Sequence, residues 1–148
     1  MAQGDITIFE EAMKYMITGG WAGTDNVNLA LITNATPPTA GFLTPALGDF
    51  TQIAIAGAYT GPVLLDTLDN MLTEVGGVLT FDDTGADVTW AQNGASPQDA
   101  RWGLIYNATV AGNPAIGFIE LDTVNVDMQA GPLTITWSTS PNAIFQIS

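Results

Sequence analysis

The sequence predicts an all-β chain: an antiparallel β-sandwich or jelly-roll-like domain carrying one N-terminal α-helix. Three observations predict it. Short runs rich in Val, Ile, Thr and aromatic residues recur after Trp21, several alternating apolar with hydroxyl side chains as a half-buried strand requires. Between the runs stand clusters of Gly, Pro, Asn and Asp with turn chemistry. Helical periodicity is confined to residues 1–20, too little helix to supply the crossovers of a parallel sheet.

Within residues 1–20, Ile6, Phe9, Met13, Met16 and Ile17 fall on one apolar stripe. Asp5 or Thr7 stands where a cap is needed, and residues 7–10 (TIFE) match a capping box. Glu10 and Glu11 occupy the first turn, where the macrodipole favours anions, and Gly19 with Gly20 supplies a stop. Such a stripe docks the helix on its own domain or lets it reach a neighbouring subunit as an arm, and the sequence allows both. Strands are predicted at 27–33, 51–56, 78–81, 87–92, 101–108, 116–121, 133–137 and 144–147. Turns separate them at 34–38 (NATPP), 57–62 (GAYTGP), 82–85 (DDTG), 93–94 (NG), 111–114 (AGNP) and 130–132 (AGP). The segments 133–137 (LTITW) and 87–92 (DVTWAQ) alternate most cleanly, so each needs a second layer over its apolar face. No repeat and no low-complexity linker interrupts the pattern, and residues 1–148 read as one domain.

Composition narrows function before any motif does. Only 11% of residues are charged while 47% are hydrophobic, so the chain has apolar surface to hide, in its core or against a neighbour. Fifteen carboxylates oppose Lys14 and Arg101, a formal net charge of −13. That surface repels phosphate backbones and anionic lipid, which argues against nucleic-acid and membrane partners and keeps free copies apart. Cysteine is absent, so the fold stands on packing without disulfides or thiolate metal sites. Residues 1–5 (MAQGD) carry no basic or apolar signal region, which argues against a secretory signal and predicts a chain that is not exported from the cytoplasm in which it is synthesised. The longest apolar stretch, 103–121, is interrupted by Asn107, Asn113, Pro114 and Glu120 and does not read as a membrane span. Asn34 and Asn107 begin glycosylation-like triplets, read here as turn or strand-end residues.

Histidine is also absent, which removes the commonest general base, and no thiol nucleophile exists. The chain is therefore expected not to be an enzyme and to use no cofactor, with no catalytic, cofactor-binding or metal residue assigned. The surviving catalytic option is a carboxylate pair drawn from Asp82, Asp83, Asp87, Glu120 and Asp122, most of which sit at turns or strand ends where acids serve solubility and capping. Residues 82–87 (DDTGAD) resemble half a calcium loop but lack the distant bidentate Glu of an EF-hand, and read at least as well as a hairpin turn. Trp21, Trp90, Trp102 and Trp137 are candidates for a sugar platform, yet the last three lie inside apolar strand patterns and suit the core. Arg101, between Ala100 and Trp102 and close to Asp99, is expected to pair locally with a carboxylate or to cross a subunit boundary.

Several segments resemble a known group. Residues 1–5 (MAQGD), 28–33 (NLALIT) and 87–90 (DVTW), and more strongly 100–107 (ARWGLIYN), 115–121 (AIGFIEL) and 132–137 (PLTITW), are similar to head decoration, or capsid cement, proteins of tailed bacteriophages. The resemblance spans nearly the whole chain as distributed strand patterns, with no site motif to transfer. It implies a β-sandwich module added in many copies to the outer capsid surface, clamping adjacent major capsid subunits and touching neighbouring copies of itself. The rivals are a tail, neck or head-fibre component and a surface carbohydrate-binding module.

Overall fold

The two most apolar strand signals become neighbours at the middle of the main sheet. The computed structural model describes residues 6–76, 78–82, 87–136 and 143–147. In it β1 (Ile6–Ile8), β2 (Asn26–Ile32), β3 (Val63–Thr67), β7 (Trp102–Asn107) and β8 (Ala115–Glu120) form a five-stranded sheet in the order β1-β8-β7-β2-β3. A second layer comprises a three-stranded sheet, with β5 (Val78–Asp82) between β4 (Leu72–Val75) and β10 (Ala143–Ile147), and the pair β6 (Val88–Trp90) with β9 (Leu133–Ile135). Every pairing is antiparallel. With 36% of residues in strands, 12% helical and one sizeable helix, this is the all-β, sandwich-like class the sequence predicts.

Two apolar cores lie on opposite faces of the five-stranded sheet. On one, Val27, Leu29, Leu31, Ile105 and Ile119 meet Phe81, Trp90, Leu133 and Ile135 of the second layer. On the other, Ala30, Ile32, Trp102, Leu104 and Phe118 are covered by Phe9, by Ala12 of helix α1 (Glu10–Ile17), and by Leu47 and Phe50 at a 3-10 turn (Leu47–Asp49). Both faces of β2, β7 and β8 are therefore dry, and this is why they read as continuous apolar runs and not as alternating ones. The pair β6 and β9 keeps one wet face. There the Thr89 and Thr134 hydroxyls sit 3.0 Å apart, while Trp90 and Leu133 turn inward. Gly103 is tightly enclosed: an added Cβ would lie 2.8 Å from Ile119 Cγ2 and 3.2 Å from Leu29 Cδ1 on the two flanking strands, and 3.5 Å from Ile135 Cδ1 of the second layer.

The helix starts later than its sequence signals suggest. Ile6–Ile8 pairs with residues 117–119 as an edge strand, so Thr7 faces Phe118 in a ladder and forms no capping box with Glu10. The N-cap is Phe9, whose side chain cannot cap. A β-bulge in β8 compensates: Ile116 is the extra residue in the register with β7, and its carbonyl accepts the Phe9 N–H at 3.1 Å. The Ala40 carbonyl accepts the Glu10 N–H at 3.2 Å. The predicted stop holds, with Gly19 at φ 70 and the Gly20 N–H donating to the Tyr15 carbonyl. Asp5, the alternative cap, lies outside the described residues. Of the predicted stripe only Phe9 is fully buried, joined on the sheet by Ala12 from outside the stripe, whereas Met13 and Ile17 are exposed.

Segment 51–56, expected as a strand, touches the sheet only at single bridges. Gln52 pairs with Ile32, and the Leu31 carbonyl accepts the Ile53 N–H at 3.1 Å. The Tyr59 hydroxyl then accepts the Leu31 N–H at 3.2 Å, so a loop and a phenol serve the β2 edge beyond the end of β3. The loop is held close by Gly57, which has a φ of 58 and no room for a side chain, since an added Cβ would lie 2.5 Å from Ser96. The short strands β1, β3 and β4 were not predicted. Residue 137 of the predicted strand 133–137 and the turn residues 83–85 lie outside the described residues.

Candidate functional site

Arg101 acts as a brace between strands. It stands just before β7, and Glu120 ends the neighbouring β8, so pairing of the two strands places the guanidinium against the carboxylate. Nη2 donates to Glu120 Oε1 at 2.5 Å, and Nη1 donates to the carbonyls of Asp122 and Val124. The side chains are 12% and 17% exposed, and the guanidinium carbon lies 5.4 Å from the Trp102 ring centroid. The expected local pairing is thus realised with Glu120, not with nearby Asp99.

The three candidate carboxylates whose side chains are described are already committed to local structure. Glu120 serves Arg101, Asp122 Oδ1 accepts the Thr123 N–H at 2.5 Å, and exposed Asp87 accepts from Thr136 Oγ1 at 3.2 Å. The side chains of Asp82 and Asp83 lie outside the described residues, as does most of the 82–87 loop. Among the described residues no three Asp, Glu, His or Cys side chains gather as a metal site. A buried knot that sequence reasoning missed joins Asp25 to Asn107: Asn107 Nδ2 donates to Asp25 Oδ2 at 2.8 Å, and Asn107 Oδ1 accepts the N–H groups of Thr109 and Val110. Asn107 is thereby a strand-end anchor, and Asn34 accepts from Trp102 Nε1 at 3.0 Å. Burial pushes the Tyr59 phenol above its ordinary range against the opposing pull of the Leu31 N–H, and it raises Tyr106 likewise. At the surface, a hydrogen bond from the Gln98 side chain, seconded by the Gln129 N–H, holds the Asp127 carboxyl below its ordinary value.

Trp90 and Trp102 belong to the two cores, as their strand patterns imply, and Trp137 lies outside the described residues. Trp21 differs. It is half-buried, packs against both cores and stacks on Tyr15 with ring centroids 5.9 Å apart and 19° between planes. Tyr15 in turn forms a wall of a cleft of about 170 Å³, completed by Thr44, Pro45, Ala46, Ala111, Gly112 and Pro114. Large apolar side chains stand exposed elsewhere as well: Leu43 at 84%, Ile17 at 80% and Ile55 at 70%, with Leu64 and Val124 over half exposed.

Fold and surface define the class: an antiparallel, all-β, sandwich-like fold of strongly acidic composition whose exterior carries apolar side chains and an aromatic-walled cleft. Set against protein-family models, curated proteins and solved structures, the chain matches none.

Proposed function

We propose that this chain is a structural virion protein, a decoration or cement protein that binds the outer surface of a tailed-phage head and stabilises the lattice of the major capsid protein. The observation that carries the reading is the pairing of exposed Ile17, Leu43, Ile55, Leu64 and Val124 with a net charge of −13. Repulsion keeps free copies apart, while apolar area remains available to a larger, complementary surface. Many weak contacts of this kind stabilise an assembled shell by mass action. The likeness of residues 100–107 and 115–121 to decoration proteins adds support, and these segments cover β7 and β8, so the likeness lies in the framework and leaves the contact surface open.

Purified heads lacking the chain, incubated with it and imaged by electron cryo-microscopy, test the reading. The expected map shows the chain at regular positions over the shell. No binding to heads overturns the proposal, and a copy number set by one axis or by the vertices assigns the chain to the tail, neck or head fibre. A carbohydrate-binding role is the second reading, favoured by the partly exposed Tyr15 and Trp21 stack. Glycan-array binding lost in Trp21→Ala would establish it.

A further inference from the structure

We propose that the cleft between α1 and the loops 44–46 and 111–114 receives a ring-sized apolar side chain, flanked by lysine or arginine, from an extended segment of a different protein. The inference rests on the reading above, in which the chain works by packing against another protein, and it names the surface and the partner chemistry.

Size and lining come first. The cleft measures about 170 Å³, and an apolar cavity of roughly 150 Å³ admits a benzene ring. Tyr15, Pro45 and Pro114 supply ring and methylene surface, and Ala46, Ala111 and Gly112 leave the walls low. A prolyl or aromatic side chain fits such a lining.

The walls are built in advance. Ala46 bridges Pro114, the Leu47 N–H donates to the Asn113 carbonyl at 3.0 Å, and the Ala115 N–H donates to the Pro45 carbonyl at 2.8 Å. Each loop also holds one non-glycine residue in the left-handed region, Thr44 at φ 48 and Asn113 at φ 50. For β-branched Thr that conformation is uncommon and persists only where the surroundings enforce it. Walls fixed in this way lose little further freedom when a ligand enters.

Charge selects the partner. Segments 10–17, 42–49 and 111–114 carry the carboxylates Glu10, Glu11 and Asp49 against one ammonium, Lys14, which pairs with Glu11 at 3.3 Å. Glu11 lies one helical turn before Tyr15 on the same side of α1. Asp49 Oδ2 accepts the N–H of Ala46, itself a wall residue, at 2.9 Å. The Asp49 carboxylate beside this wall, in a chain of net charge −13, calls for a cationic neighbour to the inserted ring. A second copy of this chain is a poor occupant: it brings a net charge of −13, and both its cations, Lys14 and Arg101, already sit in ion pairs. The same sign of charge disfavours phosphate backbones and anionic lipid.

The test titrates the ¹⁵N-labelled full chain with two amidated heptapeptides, one interspersing lysine with proline and phenylalanine, the other carrying glutamate in place of lysine. The lysine peptide is expected to shift the amides of Tyr15, Thr44, Ala46, Ala111 and Gly112, with Kd on the order of 1 mM. Raising NaCl from about 50 to about 500 mM should weaken it several-fold. Ala111→Trp, which fills the cleft from an exposed position, should abolish the shifts, and Ala111→Lys should reverse the preference toward the glutamate peptide. No binding, equal response to both peptides, shifts spread elsewhere, or unaltered binding by both variants overturns the inference. Concentration-dependent shifts of the same amides without peptide also overturn it, assigning the cleft to a second copy. Heads separate the two readings. If wild type and Ala111→Trp decorate heads equally, the cleft is not the shell contact and the proposed function stands; if wild type ignores heads yet takes the lysine peptide, the cleft stands and the head assignment falls.

Discussion

Arg101 concentrates more interactions than any single feature of the sequence announces. Its guanidinium bonds one carboxylate and two carbonyls, lies near the Trp102 ring, and ties β8 and the segment after it to the start of β7. Removing it would leave Glu120 half-enclosed without its partner, the costly way to break such a pair. Arg101→Ala is therefore expected to lower stability by about 3 kcal/mol, the lower end for a buried pair because both side chains keep some solvent. Urea unfolding checks this, and a loss under about 0.5 kcal/mol would reduce the brace to a surface contact. Lys14, 68% exposed in its pair with Glu11, is the contrast case and should contribute only a few tenths of a kcal/mol. The charge scarcity that makes Arg101 conspicuous is readable from sequence. Its partner is not, because Glu120 lies nineteen residues away and meets Arg101 only through strand pairing.

At the scale of elements, local signals succeed where local forces decide and fail where a neighbour decides. The stop at Gly19 and the alternation of β6 and β9 depend on nearby residues, and both are found as predicted. The capping box at Thr7 and Glu10 is overridden because β8 offers Ile6–Ile8 an open edge and a bulge carbonyl for Phe9. Strands β3 and β4 escape notice because Asp66, Asp69 and Asn70 dilute the apolar run with poor strand formers. Segment 51–56 has strand-like composition, yet the Tyr59 phenol takes the Leu31 N–H that a continued ladder would have used. Gly103 belongs to this scale too, since its lack of a side chain leaves room for Ile119 and Leu29 of the flanking strands to pack over β7. Gly103→Val should cost about 1–3 kcal/mol through overpacking against Ile119 and Leu29, read as a lower urea midpoint with the m-value unchanged. An unaffected midpoint would mean that Ile119 and Leu29 give way without cost.

For the whole molecule, the imbalance of fifteen carboxylates against two cations acts as a distributed strain. Screening should relieve it: raising NaCl from about 20 to about 300 mM is expected to increase Tm by a few degrees, because like-charge repulsion outweighs the two ion pairs. A falling Tm in a calorimetric scan would reverse that ranking. The sequence by itself determined the all-β class, the antiparallel habit, the position of the one sizeable helix, the core roles of Trp90 and Trp102 and the acidic character, because composition and short-range periodicity specify which face of a strand is dry and how much charge the chain carries. Tertiary structure alone decided that the central strands are covered on both sides, that Arg101 meets Glu120, that Asp25 meets Asn107, and that Tyr15 faces the loops 44–46 and 111–114 across a cleft. Each of these joins residues distant along the chain, and their contact is a product of strand order and register, which no local pattern encodes.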